Sequence, residues 1–234
     1  MARRFAPFFP ILVFIVVTLA APLQALEAQS RRFLLAGSVD VAALVPPPPA
    51  VGSPAFNEQM AVVQWLQRTR TPADIEFVRK ELDVERFIPL IGDGLVEVDG
   101  IALKHTLNAA IGDVRAEYDL IKTKYAQPRP FVVNEAVRPV TDARTEGSYP
   151  SGHATRAIVY ARLLAEIFPS RREALLELAR QIGYGRVVAG VHYPTDVLAG
   201  QRLGDAYADV IIGQPAFAEA LKRIRGARPP ADGK

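Results

Sequence analysis

The chain has 234 residues, 50% of them hydrophobic and 23% charged, a composition that can bury one sizeable core. Its formal net charge is only +3, and the basic residues are scattered among acids, so no nucleic-acid footprint follows. It contains no cysteine, which excludes disulfide staples and leaves stability to packing.

Residues 1–28 read as a secretory signal peptide: Arg3 and Arg4 come first, an apolar run from Phe8 to Val17 follows, and small residues stand at Ala25 and Ala28. A retained anchor would need the run stretched toward about 20 residues, and Pro10, Pro22 and the alanine-rich end argue for cleavage. The expected location is therefore periplasmic or secreted, out of reach of cytoplasmic nucleotides, which favours hydrolysis over an ATP-driven reaction. Residues 29–54 form a proline-rich extended segment around Pro46-Pro47-Pro48-Pro49 and Gly52-Ser53-Pro54. A single domain is expected over 55–234.

Within it, Met60, Val63, Trp65 and Leu66 recur at helical spacing. Thr71 is placed to cap a helix that has Pro72 in its first turn, with Asp74 and Glu76 near the positive end of the dipole. A long helix is predicted from Ile101 to Tyr125 through Leu103, Leu107, Ala110, Ile111, Val114, Tyr118 and Ile121, stopped by Pro128 and Pro130. Residues 131–149 lack periodicity and read as a loop. Further helices are predicted over 152–168, over 170–182 with a Ser170–Glu173 capping box, over 194–212 and over 215–224. No strand pattern of comparable length appears, so the fold class is all-α, a single-domain helical bundle. None of the helices after the signal is an uninterrupted apolar run of 18 residues, which argues against an integral membrane enzyme.

Three segments gather groups suited to a phosphoryl ligand. Lys122 offers a point charge, and Arg129 and Arg186 offer planar forks that grip two oxygens each. Pro150-Ser151-Gly152-His153 enters a helix, where free amides and the dipole favour an anion. His192 precedes Asp196 by four residues, a spacing that lets the carboxylate hold one ring nitrogen and leave the other free. Singly, each has an ordinary reading: a helix-terminal lysine, a solvated arginine, an N-cap serine, a structural histidine. A metal is not expected, because zinc takes three or four His, Cys or carboxylate ligands and here cations surround the candidates.

Taken jointly, Lys122-x6-Arg129-Pro130, Pro150-Ser151-Gly152-His153 and Arg186-x5-His192-x3-Asp196 resemble the three-part signature of the phosphatidic acid phosphatase type 2 and vanadium haloperoxidase superfamily. Within it the chain is most similar to the bacterial class A non-specific acid phosphatases, also at Pro46 to Asn57, Gly147-Ser148-Tyr149 and Pro215-Ala216-Phe217. The resemblance implies a helical bundle of the acid phosphatase/haloperoxidase type and a broad-specificity phosphomonoesterase. It makes His192 the nucleophile of a phosphohistidine intermediate, His153 the proton donor to the leaving group and Asp196 the residue that orients His192. Lys122, Arg129, Ser151, Gly152 and Arg186 would bind the phosphoryl oxygens, with no metal or cofactor. The implied partners are small phosphorylated substrates and no nucleic acid; a homo-oligomer through the 101–125 helix stays open. Lys124 is set aside because the family spacing selects Lys122, and His105 matches no part of the signature. Gly185 departs from the pattern, which usually has serine there. A membrane-surface lipid or diphosphate phosphatase, a vanadate-dependent haloperoxidase and a non-catalytic phosphate binder are the alternatives.

Overall fold

Proline and small capping side chains punctuate the chain into helices. The computed structural model describes residues 31–144 and 146–226; residues 1–28, read from the sequence as a signal peptide, lie outside them. In the proline-rich stretch before residue 54, one turn of helix α1 (Val41–Leu44) forms, where the Asp40 carboxylate accepts from the Ala43 amide at 3.1 Å. Helix α2 (Pro54–Thr69) starts on Ser53 and buries Phe56, Met60, Val63 and Leu66. Trp65, expected in that stripe, is 55% exposed, because it lies about 100° round the helix from Leu66. Helix α3 (Pro72–Arg79) opens with a reciprocal cap between Thr71 and Asp74.

Short 3₁₀ turns at Val84–Arg86 and Gly92–Glu97 flank α4 (Ile88–Ile91). Helix α5 (Gly100–Tyr125) begins where Asp99 accepts from the Ile101 and Ala102 amides, both at 2.9 Å. It ends at Ala126, whose φ of 46° is left-handed. Pro130 at the first helical position starts a single turn, α6 (Pro130–Val133), inside the stretch expected to be loop. Helices α7 (Gly152–Ile167), α8 (Arg172–Val188), α9 (Pro194–Ile212) and α10 (Pro215–Gly226) complete the fold. No strand occurs among the described residues.

The expected cap at Ser170 does not form. Pro169–Arg171 makes a 3₁₀ turn, and α8 starts one step later on Arg171, which supplies no side-chain cap. That helix also runs past Ile182 to Val188, because Gly183 serves close packing rather than termination. A Cβ there would lie 3.2 Å from the Ala154 Cβ.

The core is centred on α7, whose Ala157, Ile158, Val159, Ala161, Leu163 and Leu164 are all buried between α8, α9 and α5. Backbone approach to α9 is close. A Cβ on Gly200 would stand 2.6 Å from the Ser151 carbonyl oxygen, and one on Gly204 would stand 2.7 Å from that of Thr155. Gly200→Ala is therefore expected to cost about 1–3 kcal/mol as the helices part, read as a lower urea midpoint at unchanged slope.

The leading segment is tied to α5. The Asp113 carboxylate accepts from the backbone amides of Arg32, Phe33 and Leu34 at 3.0, 2.7 and 3.1 Å, and Arg31 pairs with Glu117. Further along, the Tyr149 hydroxyl donates to the Pro46 carbonyl, so the proline run packs over the loop that leads into α7. No described helix is long and apolar enough to cross a membrane.

Candidate active site

The last turn of α5, the first turn of α7, the last turn of α8 and the entry to α9 converge on one cleft of about 1210 Å³. Lys122, Arg129, Gly152, His153, Arg186 and His192 line it. Ser151 and Asp196 lie directly behind the lining and are fully buried. Residues up to 74 positions apart in the chain, Lys122 and Asp196, thus meet at one site. His105 and Lys124 are exposed on α5, and neither lines the cleft.

Helix α9 begins at Pro194, and this fixes the relation between His192 and Asp196. The Asp196 Oδ2 accepts from the Tyr193 amide at 2.9 Å, closing the helix N-terminus, and lies 3.1 Å from His192 Nδ1. On the other face of the ring, Arg129 Nη1 lies 3.2 Å from Nε2 while donating to the Val191 carbonyl at 2.9 Å. A guanidinium can only donate, so Nε2 must accept and the ring proton must sit on Nδ1, facing Asp196. The lone pair of Nε2 is thereby directed at the cleft side. Ser148, unassigned in the sequence, donates its hydroxyl to Asp196 Oδ2 and lies 3.3 Å from Nδ1. It adds a second fixed donor to the carboxylate.

The cations are held by backbone oxygens. Lys122 Nζ donates to the carbonyls of Gly147 and Pro150, both at 2.7 Å, so it clamps the loop carrying Ser148 as well as charging the cleft. A Cβ on Gly147 would stand 2.9 Å from the Lys122 carbonyl, which explains the glycine. Arg129 Nε donates to Glu146 O at 2.9 Å. Arg186 donates to Val78 O at 3.3 Å and to Thr141 Oγ1 at 3.1 Å. At Gly185, where the resembling pattern has serine, a Cβ would stand 2.9 Å from Val78 Cγ1. Here α3 fills the space of that serine side chain and supplies a carbonyl to the neighbouring arginine.

At the α7 N-terminus, Ser151 Oγ accepts from the Ala154 amide at 3.4 Å, the cap expected from sequence. Gly152 is required because a Cβ would stand 2.9 Å from the Tyr118 ring. The next residue, His153, projects into the cleft.

Charge is expensive here. Burial and then Arg129 push the Lys122 ammonium down to about 8, and burial and then Arg129 bring Arg186 down to about 10. Burial, followed by Arg186 and Arg156, holds His153 well below 6.5. Burial, followed by Arg129, Lys122 and Arg186, does the same to His192, which is therefore a neutral imidazole. Burial raises the Asp196 carboxyl to about 6 against the hydrogen bonds from Ser148 and Tyr193. An anion in the cleft would oppose the like-charge part of the shifts at Lys122, Arg186, His153 and His192. Inorganic phosphate at about 100 times its dissociation constant should therefore add about 2.7 kcal/mol of stability and raise the melting temperature by several degrees. Chloride at equal ionic strength is the control, and an equal shift with chloride would remove the anion cradle. Among the described residues no three His, Cys, Asp or Glu side chains cluster as metal ligands.

The sequence profile of the PAP2 superfamily matches residues 102–217, a span that carries all eight of the candidate site residues. The chain belongs to the PAP2 superfamily. It is 28% identical to a non-specific acid phosphatase of Providencia stuartii over 202 residues, covering 80% of each chain. It is 27% identical to a non-specific acid phosphatase of Salmonella typhi over 237 residues, covering 96% of this chain and 92% of that one. Among solved structures it is similar to a transmembrane PAP2-type phosphatidylglycerolphosphate phosphatase from Bacillus subtilis, with a TM-score of 0.53 and 22% identity over 74% of this chain and 90% of that one. This PAP2 protein is accordingly an all-α phosphatase, a hydrolase.

Proposed function

We propose that this PAP2 phosphatase is a secreted or periplasmic, broad-specificity acid phosphomonoesterase that works through a phosphohistidine on His192. The observation that carries the reading is the opposed pair of contacts on one buried imidazole. Asp196 takes the Nδ1 proton side and Arg129 faces Nε2, so the nucleophilic nitrogen is neutral and aimed among Lys122, Arg129 and Arg186.

In this reaction the phosphoryl group displaces the Arg129–Nε2 contact, and Arg129 and Arg186 turn their remaining N–H donors onto its oxygens. The Ser151 hydroxyl and the Gly152 amide complete the cradle, where charge develops in a loose transition state. The Nε2 lone pair forms the N–P bond as the P–O bond to the alcohol breaks, and His153 gives its proton to the departing oxygen. A water then attacks phosphorus, His153 takes its proton, the N–P bond breaks and inorganic phosphate leaves. Asp196 stabilises the positive charge on the phosphorylated ring. Support for the location comes from the signal-like residues 1–28. Small monoesters fit a cleft that is wide, polar and carried by a chain with no described membrane-spanning helix.

His153 must begin protonated, yet burial and its arginine neighbours hold it well below 6.5. A bound phosphate dianion opposes those arginines and raises it. The sign follows: hydrolysis should rise as pH falls below neutrality, be lost as pH rises through the value of His153 in the complex, and fall again at the acid end as Asp196, raised to about 6 by burial, takes a proton. Turnover of an alkyl phosphate such as glycerol 2-phosphate from pH 4 to 8, with acid-labile phosphate trapped on the protein by alkaline quench, is the decisive measurement. A rate that climbs toward pH 8, or a quench that recovers no phosphoenzyme at any pH, overturns the proposal. Halide oxidation by peroxide and vanadate without ester hydrolysis would select the haloperoxidase alternative.

A further inference from the structure

The phosphoryl cradle does not account for all of the positive charge in the cleft. Beyond Lys122, Arg129 and Arg186, the lining includes Arg115 on α5, Arg144 on the loop before α7, and Arg156 on α7. Arg156 sits three residues after His153, so the two side chains are neighbours about one helical turn apart on the same face. Its Nε donates to the Gly152 carbonyl at 3.3 Å. Its terminal nitrogens make no hydrogen bond to the described residues, and it is half-buried beside Tyr118. None of the three arginines forms an ion pair among the described residues. Glu81, Asp119, Asp142 and Glu146 also line the cleft, but none of them forms an ion pair with these arginines.

Three like charges that press on one another are costly to hold, and one phosphoryl group already has three cations of its own. We propose that Arg115, Arg144 and Arg156 form a second anion subsite, which takes a second phosphate group on the organic part of the substrate. The preferred substrates are then bisphosphates, in which one phosphate reacts at His192 and the other is gripped one helical turn away. A planar guanidinium fork matches two phosphate oxygens, and three forks at one mouth suit a dianion better than a monoanionic carboxylate. This deepens the phosphomonoesterase reading above and rests on it.

The test compares kcat/KM for adenosine 3′,5′-bisphosphate with that for adenosine 5′-monophosphate, and for 4-carboxyphenyl phosphate with that for phenyl phosphate. The expected bisphosphate preference is about tenfold or more, the worth of a charge-assisted contact. Arg156→Gln should reduce it to about the twofold that two ester positions alone provide. Arg115→Gln with Arg144→Gln, at exposed positions, should do the same if the Arg156 variant does not fold. A wild-type ratio near two, or a preference untouched by either set of substitutions, overturns the proposal. A carboxyphenyl gain as large as the bisphosphate gain overturns its assignment to phosphate. Dissociation constants for the two nucleotides, measured by calorimetry on the same proteins, give the ratio without turnover. Preferential bisphosphate binding in a protein that hydrolyses neither compound would support the subsite and overturn the esterase reading.

Discussion

His192→Ala is expected to lower p-nitrophenyl phosphate turnover by a factor on the order of 10⁴ to 10⁶, the scale on which removing a covalent nucleophile acts. The ring is buried, yet its loss should leave the fold intact, because the surrounding elements are held by other means. Asp196 keeps its bonds to Ser148 and to the Tyr193 amide, and Arg129 keeps the Glu146 and Val191 carbonyls. The far-ultraviolet circular dichroism should therefore match the parent, while the trapped phosphoenzyme disappears. Near-normal turnover in a folded variant would transfer the nucleophile to another group. His153→Ala provides the contrast. It should slow hydrolysis by about 10² to 10⁴, and less for p-nitrophenyl phosphate, whose leaving group needs little help, than for an alkyl phosphate.

Asp196→Asn should cost about 10⁴ in kcat, by the logic of a carboxylate that fixes the tautomer of a catalytic imidazole. The carboxylate oxygen that faces Nδ1 also receives the Ser148 hydroxyl and the Tyr193 amide. An asparagine that kept its carbonyl toward those donors would still accept from Nδ1 but would carry no charge to balance the imidazolium-like phosphohistidine. One that turned its NH₂ toward the ring would force the proton onto Nε2 and remove the nucleophile. Either way the effect should appear in kcat more than in KM, because the cleft arginine that contacts the ring, Arg129, meets it at Nε2 and not on this side. The geometry also assigns a graded control: Ser148→Ala removes one donor from the same carboxylate and should lower kcat by a smaller factor. An Asn variant that turns over within tenfold of the parent would show that Asp196 serves only to close the α9 N-terminus.

Several features of this site were legible in the chain before any coordinates. Helical spacing marks α5, α7, α9 and α10, and Thr71, Ser151 and the prolines at 72, 194 and 215 mark helix starts, because capping and proline geometry are local, whereas Ser53 and Pro54, read as part of the extended segment, in fact open α2. What local signals misjudged were places where tertiary packing overrides them. Trp65 satisfies an apolar count but faces outward from α2. Ser170 has a capping-box partner in sequence yet is drawn into a 3₁₀ turn by Pro169, and Gly183 and Gly185 lie within α8 because neighbouring side chains occupy the space a Cβ would need.

The eight residues singled out from the motifs are brought to one cleft or its immediate backing, but their partners could not be read from the motifs. Ser148 and Thr141 are polar residues of the kind that fill any loop, and Arg156 is one arginine among many. Nothing in their spacing distinguishes a hydroxyl that holds a carboxylate from one that faces solvent. The clamp of Lys122 on Gly147 and Pro150 likewise depends on where a loop returns to the end of α5.

By itself the sequence determined the helical class, the order of the helices and the chemical kinds of group available, since periodicity, capping and side-chain chemistry are properties of short stretches. Only the tertiary structure decided which nitrogen of His192 is free, which cations are bound to carbonyls and which are left to face an anion, and where Gly185 makes room for Val78. Those depend on distances between segments far apart in the chain, set by how closely α9 and α8 approach α7.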